Sequence, residues 1–126
     1  MSNIPSEGFE PFVPTYFMRI KIQRDGKEVA YIILKYIHAE IEIEYLHTDP
    51  MYRGKGFATS LLNKAKAMSD RMKRPLIGFV DPDKSGGLTH EQEEKWLIKH
   101  GFIKIKKYDF GGYYKPVMMY NSQFYT

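Results

Sequence analysis

Across Thr48–Ala58 the side-chain periodicity changes from two to 3.6, and that change limits what the polypeptide can become. Upstream, Glu40–Thr48 alternates in the manner of a half-buried strand. Downstream, Phe57, Leu61, Ala65, Met68 and Met72 share one helical face, with Ala58 and Leu62 beside them. Asn63, Lys64, Lys66, Asp70 and Lys73 occupy the other face, and Pro75 stops the helix. Between the two patterns lies a turn holding Arg53, Gly54, Lys55 and Gly56. Such a strand–turn–helix lines up backbone N–H groups at a helix N-terminus. The dipole there favours an anion, and the missing Cβ atoms let phosphate oxygens come close. The amides from Arg53 to Ala58 therefore form a candidate pyrophosphate cradle, with a plain helix start as the alternative. Neither Gly-x-Gly-x-x-Gly nor Gly-Lys-Ser/Thr is present, so the turn is not a dinucleotide or P-loop fingerprint.

The flanking segments supply the rest of a sheet. Residues 1–15 are rich in Pro, Ser and Glu and read as an extended arm; residues 16–126 read as one domain. Strand-like patterning starts at Tyr16, and Asp25-Gly26 offers a hairpin turn into a second strand that ends at about Ile37. A turn at His38-Ala39 leads into the strand Glu40–Thr48. Leu76–Val80 is short and almost continuously apolar, as a strand buried on both faces should be. Thr89 and Gln92 make a capping-box pair at the start of a helix to His100, and Gly101 suits its left-handed end. Strands near Ile103–Phe110 and Tyr114–Asn121 follow, joined at Gly111-Gly112.

Arg53-x-x-Gly56-x-Ala58 resembles the Arg/Gln-x-x-Gly-x-Gly/Ala signature of the GNAT superfamily of acyl-CoA-dependent N-acetyltransferases, and Leu46–Tyr52 is similar to that family's approach to it. The element order β-β-β-α-β-α-β-β matches the family from its second strand onward, over about residues 16–121. The resemblance implies an α/β fold of the α+β type: one GNAT-like domain whose mixed, mostly antiparallel sheet has helices on both faces. It implies acetyl-CoA as co-substrate, with Thr48, Arg53, Gly54, Lys55, Gly56, Phe57 and Ala58 binding it. Thr48 would act through its main chain, on the pantetheine arm. The family's first strand and two helices have only the 15-residue arm in their place. The acceptor site is then either unusually open or completed by a second chain, including a homodimer.

Acetyl transfer to an amine needs a group to accept the ammonium proton. Glu40, Glu42 and Glu44 alternate on one strand at about 6.6 Å spacing. In histone-type members the base stands eleven residues before the motif's first residue, which is Glu42 here; Glu44 is the second choice, because a bulge would change the facing residue. With two-residue turns, Lys35 falls opposite Glu42 and Ile33 opposite Glu44, so an ordinary cross-strand ion pair is the competing reading. The family's leaving-group acid, a tyrosine, is replaced by Leu97, which has no proton to donate. Trp96 and Leu97 are read as core packing, with Tyr108, Tyr113, Tyr114 and His100 left as stand-ins for the acid.

Asp81–Gln92 follows the EF-hand spacing at positions 1, 3, 5, 6 and 8. Gln92 at position 12 lacks the bidentate carboxylate, and the same residues make a good polar turn, so Ca²⁺ is a minor alternative there and no catalytic metal is expected. The aromatic–basic run Tyr108–Lys115 is read as a hairpin rather than a base-stacking surface. A net charge of +4 suits an anionic ligand without requiring nucleic acid. The absence of cysteine excludes disulfides, thiolate metal sites and thiol nucleophiles. Met1–Pro14 lacks a signal-peptide layout and no long apolar run is present, so a cytoplasmic protein without a membrane association is expected. The main reading is an N-acetyltransferase in which a primary amine attacks the thioester directly. Its rival is a non-catalytic acyl-CoA-binding or interaction module, and a nucleic-acid-binding protein, whose affinity would fall steeply with salt, is a third alternative.

Overall fold

The computed structural model describes residues 15–80, 88–110 and 113–125. Strands β1 (Tyr16–Arg24), β2 (Lys27–Ile37) and β3 (Glu40–Thr48) form an antiparallel meander. A short 3₁₀ turn at Pro50–Tyr52 precedes α1 (Phe57–Met72), β4 (Leu76–Phe79) and α2 (His90–Lys99). The hairpin β5 (Ile103–Phe110) and β6 (Tyr113–Tyr120) follows, and a 3₁₀ turn at Ser122–Tyr125 had no counterpart in the sequence reading. The six strands make one sheet in the order β1-β2-β3-β4-β6-β5, with β3–β4 the parallel pair.

The turns follow from local chemistry. Asp25 and Gly26 both have positive φ, 54° and 76°, which matches the twist of a two-residue hairpin. His38 takes the left-handed conformation at the second hairpin, with φ 41°. The capping box at α2 forms in full: Thr89 Oγ1 accepts from Gln92 N, and Gln92 Oε1 accepts from Thr89 N at 3.0 Å.

Both helices lie against the same face of the sheet, which corrects the expectation of helices on both faces. Tyr120 and Leu76 are cross-strand partners, and the Tyr120 hydroxyl donates to Asp70 Oδ1 of α1 at 2.8 Å. Gly78 shares that face with Leu76, and a Cβ built there would meet Leu97 of α2 and Phe102 at 3.8 and 3.9 Å. The physical reason is handedness. The connections β3-α1-β4 and β4-α2-β5 both step in the same direction across the sheet, and right-handed crossovers then put both helices on one side.

The core is the sandwich between that face and the helices. Ile32, Leu34, Ile41 and Leu76 from the strands meet Leu61, Leu62 and Ala65 of α1, all fully buried. Each fully buried Leu or Ile contributes about 1.5–3 kcal/mol. Met72, assigned to the apolar face, is 39% exposed instead. The last turn is closed by Ser69, whose buried hydroxyl donates to the Arg74 carbonyl, and by Lys73 in the left-handed conformation.

Candidate functional site

The turn between β3 and α1 is fixed by a small set of hydrogen bonds. Asp49 N donates to the Val29 carbonyl at 2.8 Å, and Asp49 Oδ1 accepts from Met51 N at 3.0 Å. That bond holds the Asp49 carboxyl below its usual range, aided by Lys27, whose Nζ lies 3.4 Å from Oδ2. Arg53 Nε donates to the Thr48 carbonyl at 3.2 Å, so the first residue of the motif closes the loop on the last residue of β3. Gly54 and Gly56 have φ of 77° and 85°. A Cβ at either position would meet nothing within 4 Å, so glycine is required there for conformation and not for space.

Gly56 is the N-cap of α1 and makes no side-chain cap. The first turn of α1 holds no acidic residue, and the first bond back to the cap is Ser60 N to the Gly56 carbonyl at 3.0 Å. The amides of Phe57, Ala58 and Thr59 precede that bond and lie where helices leave donors for an anion.

A cavity of about 270 Å³ opens beside this terminus. Leu46 and Thr48 of β3, the loop residues Tyr52, Arg53, Gly54 and Gly56, and Phe57, Ala58 and Thr59 of α1 form one wall. Leu88 together with Glu93 and Trp96 of α2 forms the other. Of the residues expected to bind a cofactor, Thr48, Arg53, Gly54, Gly56, Phe57 and Ala58 come together here. Lys55 is exposed and does not line the cavity. Trp96 packs against the core as expected and in addition faces the cavity. Glu93 and Leu88 were not read as part of this site, and the second helix folding onto the same face as the first brings them in; Leu46 enters on β3 itself, at the start of the stretch leading into the motif.

β3, which lends Leu46 and Thr48 to the cavity, is one arm of a fork in the sheet. β3 and β4 pair only at Ile41–Leu76 and Glu42–Ile77. Beyond that, β3 stays with β2 as far as Thr48–Ala30, while β4 stays with β6 as far as Phe79–Val117. The register of β3 on β2 slips inside the fork: Ile33 faces Tyr45 and Leu34 faces Ile43, so Glu44 is the extra residue of a bulge. The expected Ile33–Glu44 pairing is thereby corrected.

Glu42 is at the root of the fork, half-buried and on the sheet face away from the helices, since its neighbour Ile41 points into the core. Neither Glu42 nor Glu44 lines the cavity. Lys35 is opposite Glu42 as expected, yet among the described residues the two make no ion pair; the Lys35 ammonium lies 6.0 Å from the centre of the Phe17 ring. Burial pushes the Glu42 carboxyl up from its usual range, Glu40 adds to this, and Lys35 opposes it.

Leu97 is in the core at 4% exposure. His100 packs edge-on against Trp96, ring centres 5.0 Å apart, and does not reach the cavity. Burial lowers its pKa, with Lys66 and Lys99 acting in the same direction. The side chains of Tyr108, Tyr113 and Tyr114, and residues 81–87 of the calcium-like loop, lie outside the described residues. Gln92, that loop's twelfth position, has its side-chain oxygen engaged in the helix cap. Among the described residues no three His, Asp or Glu come together as a metal site, and no helix is long and apolar enough to cross a membrane.

Residues 6–83 match the sequence profile of a family described as the acetyltransferase (GNAT) family. A search of curated proteins finds no match. Among solved structures, the anti-CRISPR protein AcrVA5 superposes with a TM-score of 0.66 at 14% identity, over 83% of this chain and 98% of its own. The PaiA N-acetyltransferase of Thermoplasma acidophilum, in complex with coenzyme A, gives 0.65 at 19% identity, over 83% of this chain and 60% of its own. The ribosomal-protein-S18-alanine N-acetyltransferase of Escherichia coli gives 0.66 at 16%, over 83% and 68%. At these identities the likeness is one of fold.

Proposed function

The chain belongs to the GNAT acetyltransferase family, and we propose that it transfers an acetyl group from acetyl-CoA to a primary amine. The observation that carries this reading is the fork. A helix N-terminus without acidic residues stands at one end of it, a cavity runs alongside, and Glu42 is on the far side. The residues present fit the co-substrate: amides of Phe57–Thr59 and the Arg53 guanidinium suit a pyrophosphate, and Leu46, Phe57, Leu88 and Trp96 offer apolar contact to a pantetheine arm. The PaiA enzyme, solved with coenzyme A, shares the fold.

In this reading the amine approaches from the sheet face that carries Glu42. Its nitrogen forms the new bond to the acetyl carbon, the carbon–sulfur bond breaks, and the sulfur leaves as a thiolate. Glu42 accepts the ammonium proton, directly or through water, and burial, by pushing its carboxyl up, makes it a stronger base than an ordinary glutamate. Glu44, the bulge residue, is the second choice. The acceptor face exposes Phe17 and Tyr45, 62% and 44%, and among the described residues no helix covers it. That openness supports a protein or other large amine as acceptor.

A second reading is a non-catalytic acyl-CoA-binding module, favoured by the buried Leu97 at the usual place of the leaving-group acid. Calorimetric titration with acetyl-CoA, followed by an amine screen for release of free CoA, separates the two. Binding with turnover supports the enzyme, and binding without turnover across the screen supports the module. No binding at millimolar acetyl-CoA refutes both.

A further inference from the structure

The β1–β2 hairpin ends against the cradle. Lys27 bridges to Asp49, and its Nζ lies 5.8 Å from the centre of the Tyr52 ring. Arg24, the cross-strand partner of Lys27, holds its guanidinium carbon 5.0 Å from the centre of the Phe57 ring. Tyr52 and Phe57 pack on each other at 6.4 Å and both line the cavity, and Phe57 is the first residue of α1. Two cations from a hairpin outside the motif thus flank the aromatic rim of the candidate phosphate site.

These cations are not equivalent. On the same hairpin Arg19 is paired with Glu28, and Lys27 with Asp49. Arg24 donates Nη1 to the Gln23 carbonyl at 2.7 Å and has no carboxylate partner among the described residues. A guanidinium carries five N–H donors, so most of its capacity remains open. Contact with the face of the Phe57 ring holds it in place beside the cavity.

We propose that Arg24 is a phosphate-binding residue of the acyl-CoA site, supplied by the β1–β2 hairpin in addition to the Arg53–Ala58 turn. The proposal rests on the acetyl-CoA reading above. The group recognised is a phosphate oxygen of the nucleotide end, from either the pyrophosphate or the 3′-phosphate, because a bidentate guanidinium serves both. Lys27 has a different part: through Asp49 it positions the loop that Arg24 overlooks.

The test is calorimetric titration of the full chain with CoA and with 3′-dephospho-CoA, using the wild type, R24L, R24K and K21L. Leucine keeps an apolar contact on Phe57 and removes the charge; Lys21 is an exposed cation of the same strand and controls for net charge. The expected result is that R24L weakens CoA about tenfold, equivalent to about 1.4 kcal/mol. R24K should fall between wild type and R24L, K21L should stay within about twofold, and the R24L deficit should shrink with added salt. A deficit that vanishes with dephospho-CoA assigns Arg24 to the 3′-phosphate, and one that persists assigns it to the pyrophosphate; both support the proposal. Equal affinity of R24L and wild type, or equal losses in R24L and K21L, overturns it while leaving the acetyl-CoA site standing. Failure of the wild type to bind CoA overturns both. Thermal melts of each variant separate lost binding from lost folding.

Discussion

Replacing Glu42 by glutamine keeps the shape of the side chain and removes its charge, and the two readings of this residue then diverge. Glu40 stands two residues earlier on the same strand face, about 6.6 Å away. Two like charges at that distance repel by about 0.6 kcal/mol in water and by about 2.5 kcal/mol at an effective dielectric of about 20. Glu42 is only half-buried, so the lower figure is nearer, with Lys35 offsetting part of it. Burial and Glu40 both favour the protonated acid, which raises its pKa in the folded state. Between the ordinary carboxyl pKa and the raised one, the folded chain therefore binds more protons than the unfolded chain. Stability falls as pH rises through that window and stays lower above it. E42Q removes this penalty. Its melting temperature at pH 7 should equal the wild type's or exceed it by about 1–3 °C, for roughly half a kcal/mol. The difference should vanish below the ordinary carboxyl range. Turnover should fall about 10²–10⁴-fold in kcat/KM, and the acid limb of the wild-type profile should lie above the usual glutamate range. Thiol-reactive dyes that detect released CoA suit this assay, because the chain has no cysteine to contribute background. A variant that melts lower and retains most of its turnover would refute the reasoning and make Glu42 a structural partner of Lys35.

Other outcomes test the remaining parts of the site. G56A should lose about 1–2 kcal/mol, read by urea unfolding, because an L side chain is strained at φ 85° although nothing obstructs it. Its affinity for CoA should fall as well, whereas G54A, at φ 77°, should show the same strain with a smaller binding defect, being further from the helix start. L97A should lose about 2–5 kcal/mol as a core truncation. L97Y should lose about 1–3 kcal/mol through overpacking and gain no turnover, since that side chain points at Gly78 and Phe102. T89A should lose about 1 kcal/mol of stability, read by urea unfolding, through the lost cap on α2, with CoA affinity retained.

Most of the fold was legible in the chain because its signals are local. The Asp25-Gly26 turn, the capping box at Thr89 and Gln92, and the switch of period at Gly56 each act within a few residues. What was not legible depends on how elements meet. Two crossovers stepping the same way across the sheet put α2 beside α1, and that placement gives Trp96, packed against the core, a second part as a wall of the cavity. The bulge at Glu44 was likewise hidden. Alternation in Glu40–Thr48 reads as continuous, and only the pairing with β2 reveals the extra residue. Lys35 and Glu42 show the same limit at smaller scale: the register was foreseeable, but the preference of the ammonium for Phe17 was not.

The fork between β3 and β4 also divides the backbone of one strand into two dynamic classes. Along an antiparallel strand the amides alternate in direction, so β3 beyond Glu42 turns one set toward β2 and the other toward the gap. The bulge at Glu44 reverses the phase of that alternation partway along. Amide hydrogen exchange should accordingly resolve β3 into two interleaved populations, a slow set held by β2 and a faster set facing the fork. An extended molecule threaded into the gap would slow the second set alone, so a single strand could record both the sheet's own opening and the arrival of its ligand.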